Sequence, residues 1–135
     1  MFTRKSEEDN WKNSISINDK EYSFEIDKYF PEEELEEVFS KSEVFLTEIW
    51  QKVKKAICDD LLRMYNETWK DTEDPILNEV QFLNRIKISS IQVWWDEHEP
   101  IYIYCDDDEM FGGHWIEIYV GFPGDNRAIE ASIVG

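Results

Sequence analysis

Two runs of strictly alternating residues, held apart by a nine-residue acidic loop, constrain this chain more than any other feature. Ile101-Tyr102-Ile103-Tyr104-Cys105 and Trp115-Ile116-Glu117-Ile118-Tyr119-Val120 each repeat with period two, the signature of half-buried β-strands. Between them Asp106-Asp107-Asp108-Glu109 crowds four carboxylates, and Gly112-Gly113 supplies the left-handed backbone that a hairpin connection commonly needs. The strands therefore pair across the loop. Like charges in sequence repel, so the run is either a solvated turn or half of a recognition surface for positive charge.

The parity of these strands predicts two chemically different faces. If Ile101, Ile103, Ile116, Ile118 and Val120 face a core, then Tyr102, Tyr104, Trp115 and Tyr119 project from the other side, with Trp94 beside them. Two readings of that aromatic side stay open. Either the N-terminal arm, a short helix or a twin subunit covers it, or it is a protein-binding face of Trp and Tyr anchors rimmed by carboxylates.

The remainder of the chain supplies what such a sheet packs against. Residues 1–13 carry no periodicity apart from Trp11 and are expected to form a loosely ordered arm, leaving 14–135 as a single domain. Ser14–Ile17 and Glu21–Ile26 alternate around Asn18-Asp19-Lys20, as a hairpin does. Pro31 followed by Glu32-Glu33-Glu34 opens a short helix, with Leu35, Val38 and Phe39 inward. Ser40 or Ser42 is placed to cap a second, longer helix, in which Leu46, Ile49, Trp50, Val53, Ile57, Leu61 and Met64 recur at three- and four-residue steps up to about Trp69. Leu77–Leu83 is expected to form one helical turn. Ile86 and Ile88 share one parity and Ile91, Val93 and Trp95 the other, which a β-bulge at Ser89-Ser90 would reconcile. Turns at Asp96–Pro100 and Phe122–Asn126 and a last strand over Ala128–Val134 complete the pattern. The expected fold is α+β: an antiparallel β-sheet, made of the N-terminal hairpin and a four-stranded C-terminal meander, packed against one long helix and a shorter one.

Composition narrows the function classes. Of 135 residues 41% are hydrophobic and 15% aromatic, enough for a packed core. Fourteen Lys and Arg against 31 Asp and Glu leave a formal charge of −17, which opposes binding to nucleic acid or to an anionic membrane surface. No Lys or Arg falls from Ile88 to Asn126, while Asp96, Glu97, Glu99, Asp106, Asp107, Asp108, Glu109, Glu117 and Asp125 do. Such a field steers a basic protein partner toward the surface; the plain alternative is that it only keeps the chain soluble. Two unpatterned cysteines, Cys58 and Cys105, read as reduced thiols of a cytoplasmic protein. A polar N-terminus and the lack of any apolar run approaching ~20 residues argue against a signal peptide or a membrane span.

A calcium loop counted from Asp106 puts Phe111 at position six, and one counted from Asp107 puts Ile118 where a bidentate Glu belongs. Cys105 and His114 flank one loop, yet Cys58 and His98 are not spaced to complete a tetrahedral metal set with them. Neither a metal nor a cofactor is expected, although weak cation binding by the carboxylate run stays open. An acidic setting disfavours the thiolate that a nucleophilic Cys105 would need. His114, with Phe111, Gly112 and Gly113, is assigned to the structure of the loop.

The run Asp106-Asp107-Asp108-Glu109-Met110-Phe111-Gly112-Gly113-His114-Trp115-Ile116, with Tyr65-Asn66-Glu67-Thr68-Trp69 upstream and Gly135 at the end, resembles a bacterial family of small domains of unknown function. In that family an Asp-Asp-Gly-Asp-Leu-Phe-Trp-Gly-His-like loop follows a Tyr-Asn-x-Thr-Trp helix end. Asp108 stands where the family pattern has its turn glycine, and Gly112 where it often has an aromatic. The resemblance covers roughly the last two-thirds of the chain. It implies an association with the immunity proteins of bacterial polymorphic-toxin systems and implies no settled catalytic role.

The resulting expectation is an acidic cytoplasmic protein-binding module, of the immunity type, that neutralises a basic toxin by occlusion. Trp94, Tyr104 and Trp115 would be the anchors, with Asp106, Asp107, Asp108 and Glu109 facing Lys or Arg of the partner. Two other readings stay open: a hydrolase or metal-dependent enzyme centred on the Asp106–His114 loop, and a homodimeric domain with no catalytic role. The non-enzymatic readings are preferred because no catalytic signature is present.

Overall fold

A computed structural model describes residues 1–95, 100–121 and 129–135. The expected turns at Asp96–Pro100 and Phe122–Asn126 lie outside the described residues, Pro100 apart. Strands β1 (Trp11–Ile17) and β2 (Lys20–Ile26) form the N-terminal hairpin, and Asn18 and Asp19 turn it with φ of 50° and 67°. Asn and Asp reach that left-handed region more cheaply than most residues, so two residues suffice for the connection. β3 (Lys87–Val93), β4 (Ile101–Asp106), β5 (Trp115–Val120) and β6 (Glu130–Val134) follow as the C-terminal strands. All six lie in one sheet in chain order.

The sheet is mixed, which corrects the expected all-antiparallel arrangement. β2 and β3 run parallel, with Phe24 opposite Ile91 and Ile26 opposite Val93, whereas every other neighbouring pair is antiparallel. The physical reason is the helical excursion between them. A chain that leaves the end of β2 and crosses back over the sheet through a long helix re-enters at the starting edge, which makes the next strand parallel.

That excursion begins with a turn at Glu32–Glu34 and continues as α1 (Leu35–Ile57). The two helices expected around Ser40 and Ser42 are one. Ser42 is buried mid-helix and donates its hydroxyl to the Val38 carbonyl oxygen at 2.7 Å, so it spends its hydrogen bond on the preceding turn instead of capping a new one. Leu35, Val38, Leu46, Trp50, Val53 and Ile57 make a buried stripe at steps of three, four and eight. Beyond Ile57 the helix widens into π turns at Cys58–Leu62 and Tyr65–Trp69. A π turn adds a residue to the ring closed by each hydrogen bond and re-aims the side chains that follow. Here it turns Asp60 toward β6, where its carboxylate accepts the Ala131 N–H at 2.9 Å. The short helix α2 (Glu79–Arg85) starts on a capping box between Asn78 and Gln81.

Strand alternation decides which residues meet α1. Phe24, Ile26, Ile91, Val93, Ile101, Ile103, Ile116, Ile118 and Val120 are fully buried on one face, each contributing about 1.5–3 kcal/mol of burial relative to exposure. The expected bulge is present. Ile88 pairs with Cys105 and Ser90 with Tyr104, so Ser89 is the extra residue that returns Ile88 and Ile91 to the same inward face.

Order at the N-terminus extends further than the hydropathy pattern reaches. β1 begins at Trp11, and Thr3 exchanges two backbone hydrogen bonds with Lys12, at 3.0 and 2.8 Å. The Arg4 guanidinium lies 3.8 Å over the Trp11 ring, and Phe2 packs edge-on against Phe39 of α1. The first residues are thus tied to the helical side of the sheet.

Candidate functional site

The acidic loop is built around one of its own carboxylates. Asp107 is only 3% exposed, and its Oδ1 accepts the Glu109 N–H at 3.0 Å. Its Oδ2 accepts the N–H groups of Phe111 and Gly113, at 2.9 and 3.1 Å. A carboxylate can take several donors, and here it organises backbone groups that no strand partner could reach. Asp106 makes the smaller version of the same bond, its Oδ1 accepting the Asp108 N–H at 2.8 Å.

This wrapping requires left-handed backbone at four positions: Asp108 and Glu109 at φ 49° and 61°, and Gly112 and Gly113 at 71° and 81°. The two non-glycine residues cost about 1–2 kcal/mol each in that region, which the hydrogen bonds to Asp107 offset. Asp108 occupies the place of the glycine in the pattern the loop resembles, and its backbone has the conformation a glycine adopts freely. A Cβ on Gly113 would also crowd Glu109 Oε2 at 3.3 Å, but that is the movable end of an exposed side chain, so the positive φ is what calls for glycine there.

Two elements far away in sequence pin the loop. Arg85, the last residue of α2, donates through Nε to Asp108 Oδ2 and through Nη2 to the Asp108 carbonyl oxygen, both at 2.9 Å. Phe111 is completely buried, as a plug among Tyr65, Trp69 and Phe82, with ring centroids 5.8–6.2 Å away in edge-on geometry. Trp69 also packs edge-on to the His114 ring, and His114 Nδ1–H donates to the Gly135 carbonyl oxygen at 3.1 Å. Asn66 clamps Leu77 through both its backbone groups, at 3.0 Å each. Tyr65–Trp69 and the acidic loop, 41 positions apart from Tyr65 to Asp106, therefore form one contiguous assembly.

The four carboxylates are consequently not equivalent. Asp107 is turned inward and Asp108 is held by Arg85, whereas Asp106 and Glu109 are exposed. Of the sequence-derived candidates, Trp94, Tyr104 and Trp115 lie on the sheet face opposite α1 and away from the Phe111 plug. Trp94 is 46% exposed and Trp115 49%. Trp94 leans on Tyr102 at 5.4 Å, and Tyr102 meets Tyr104 at 6.3 Å and Tyr119 at 5.5 Å. Tyr102 is the hub of this cluster although it was not among the candidate anchors; strand parity already carried that signal. Trp115 and Tyr104 line a shallow depression of about 340 Å³ with Ser90, Gln92 and Val134. The Tyr104 hydroxyl donates to Glu117 at 3.3 Å, and burial, reinforced by Glu117, pushes its pKa up to about 12.

On this outer face the cross-strand pairs place Glu25, Asp106, Glu117 and Glu130 around the aromatic residues, with Lys12 and Lys87 toward its edges. Among the described residues none of the helices and no part of the N-terminal segment covers it.

Burial pushes the Cys105 thiol up to about 12, and burial with Glu79 alongside pushes Cys58 up to about 11. Burial, rather than the acidic loop, is what keeps Cys105 protonated, since its side chain faces the core. His98 lies outside the described residues. Among the described residues no three His, Cys, Asp or Glu side chains converge as metal ligands.

Fold and site together define a small α+β protein whose sheet is backed by a bent helix on one face and, among the described residues, uncovered on the other, with a self-capped acidic loop at one end. The chain belongs to a bacterial family described as "Uncharacterized protein conserved in bacteria (DUF2262)", whose pattern matches residues 2–128. No curated protein and no solved structure matches it. Among the described residues no helix is long and apolar enough to cross a membrane.

Proposed function

We propose that this protein is an acidic cytoplasmic protein-binding module of the immunity type, which neutralises a basic toxin by covering it. The observation that carries this reading is the bare outer face of the sheet. Trp94 and Trp115 stay about half exposed there, while the apolar residues of the chain's own N-terminus pack on the other side. Large aromatic side chains at the centre of a patch with a charged rim are the usual anchors of protein interfaces. The rim is acidic, which suits a basic partner by steering it in. An enzymatic reading of the Asp106–His114 loop draws less support, because Asp107, Asp108, Phe111 and His114 are all engaged in holding the loop's own shape.

The test is to isolate the host protein that co-purifies with the chain and to measure binding kinetics at low and high salt. Trp115→Ala and Trp94→Ala should raise the dissociation rate about 30-fold or more, as loss of a ~2 kcal/mol anchor does. Replacing Asp106, Glu109 and Glu117 by Asn and Gln should slow association and flatten its salt dependence. Parent-like kinetics in both variants would overturn the proposal. Self-association that the tryptophan variants abolish would assign the face to a second copy of the chain instead.

A further inference from the structure

The parallel pairing of β2 and β3 is confined to Phe24–Ile26 against Ile91–Val93, and the preceding halves of the two strands, Lys20–Ser23 and Lys87–Ser90, form no rungs with each other. The sheet is therefore split at its centre. The bulge at Ser89, which adds twist and bends its strand, sits at the mouth of the split.

Beneath it is a cavity of about 540 Å³, walled by Tyr22 and Ile88 and floored by Trp50 and Val53 of α1. That volume falls within the range of small-molecule sites, about 300–1,000 Å³, and its floor is apolar as such sites are. Its charge is the reverse of the chain's. Among the described residues Lys20, Lys54 and Lys87 line it and Glu21 is the only carboxylate that does, a balance of 3 − 1 = +2 in a protein of net charge −17. None of the three lysines makes an ion pair among the described residues, although acidic side chains outnumber basic ones more than twofold. Lysine ammonium groups that are left unneutralised around an apolar floor suit a ligand with an anionic head and an apolar body. The head would take charge-assisted hydrogen bonds, and the body would displace water from the partly exposed Tyr22, Leu83, Ile86 and Ile88.

We propose that the cavity in the split sheet binds an amphipathic organic carboxylate, with its head held by Lys20, Lys54 and Lys87 and its apolar chain lying against Tyr22, Leu83, Ile86 and Ile88. Apart from Lys87, which stands at the edge of both, this site is separate from the outer aromatic face, and it does not depend on the protein-binding reading.

The experiment is calorimetric titration of the full chain with sodium dodecanoate below its micelle concentration, with dodecanol and dodecyltrimethylammonium as neutral and cationic comparisons. One saturable site is expected for dodecanoate. Lys54→Gln should weaken it about tenfold, the loss of one charge-assisted bond, and added salt should weaken it further. Because the three lysines make no ion pair among the described residues, the Lys20→Gln, Lys54→Gln, Lys87→Gln triple variant should melt like the parent while losing the site. In an amide NMR titration of the parent, the shifts should concentrate at Lys20–Tyr22 and Ile86–Ile88. Undiminished dodecanoate binding by the triple variant, the absence of saturable binding by the parent, equal binding of the cationic amphiphile, or shifts confined to the outer face would each overturn the assignment.

Discussion

Asp107 accepts the backbone N–H of Phe111, four residues further on, at 2.9 Å, and this single bond joins the most polar part of the loop to its most apolar part. With Asp107 drawn in, Phe111 is aimed at Tyr65, Trp69 and Phe82. A run of four acidic residues thus does two jobs: one carboxylate shapes the loop from within, and its neighbours carry charge at the surface.

Asp107→Asn should destabilise the protein by about 1–3 kcal/mol, because an amide offers one acceptor oxygen where three N–H donors, that of Phe111 buried and those of Glu109 and Gly113 part-buried, use two. Asp106→Asn and Glu109→Gln should each stay within about 0.5 kcal/mol, as exposed substitutions do. Urea unfolding of the three variants measures this directly, and equal stability of Asp107→Asn and Asp106→Asn would refute the inward role of Asp107.

Truncating the plug should cost more. Phe111→Ala removes a fully buried ring at the meeting point of the helix end, α2 and the loop, so a loss of about 3–5 kcal/mol is expected in thermal or chemical unfolding. An unchanged melting temperature would mean that the ring does not pack in solution as it does here.

Arg85 should matter less than its two short bonds suggest. It is 38% exposed and Asp108 51%, so solvent screens the pair and Arg85→Ala should cost under about 1 kcal/mol. Its effect should appear locally, as faster hydrogen exchange at the Glu109 and Phe111 amides with global stability nearly intact.

The buried Cys105 thiol makes stability depend on alkaline pH. Its pKa is raised from 9.0 to about 12 by burial, so between these values the unfolded chain gives up a proton that the folded chain keeps. Stability is therefore fully present below about pH 9 and falls as pH rises toward 12. Cys105→Val should flatten that fall relative to the parent, and native Cys105 should resist thiol reagents at neutral pH. Rapid labelling of Cys105 under native conditions would contradict its placement in the core.

How much of this was written in the sequence depends on how local the cause is. The strands, the Asn18-Asp19 turn, the bulge at Ser89-Ser90 and the aromatic face follow from alternation, which each segment carries by itself. The structural role assigned to Phe111 agrees with its place in the core, where it and Met110, the two large apolar residues of the acidic loop, are both buried. By contrast, the expected break at Ser40–Ser42 failed because a serine's preference for capping is weak once both of its flanks pack on the same core.

What the sequence alone determined, then, is the identity of the elements and the inner and outer face of each strand, since period-two and three-to-four spacing are properties of a single segment. Only the tertiary structure decided the rest. It made β2 and β3 parallel, because that depends on where the long helix returns the chain. It chose Asp107 over three neighbouring carboxylates for burial, because one backbone path lets a single side chain reach three amides. And it gathered Lys20, Lys54 and Lys87 around one cavity, because residues 67 positions apart meet only where two strands separate over a helix.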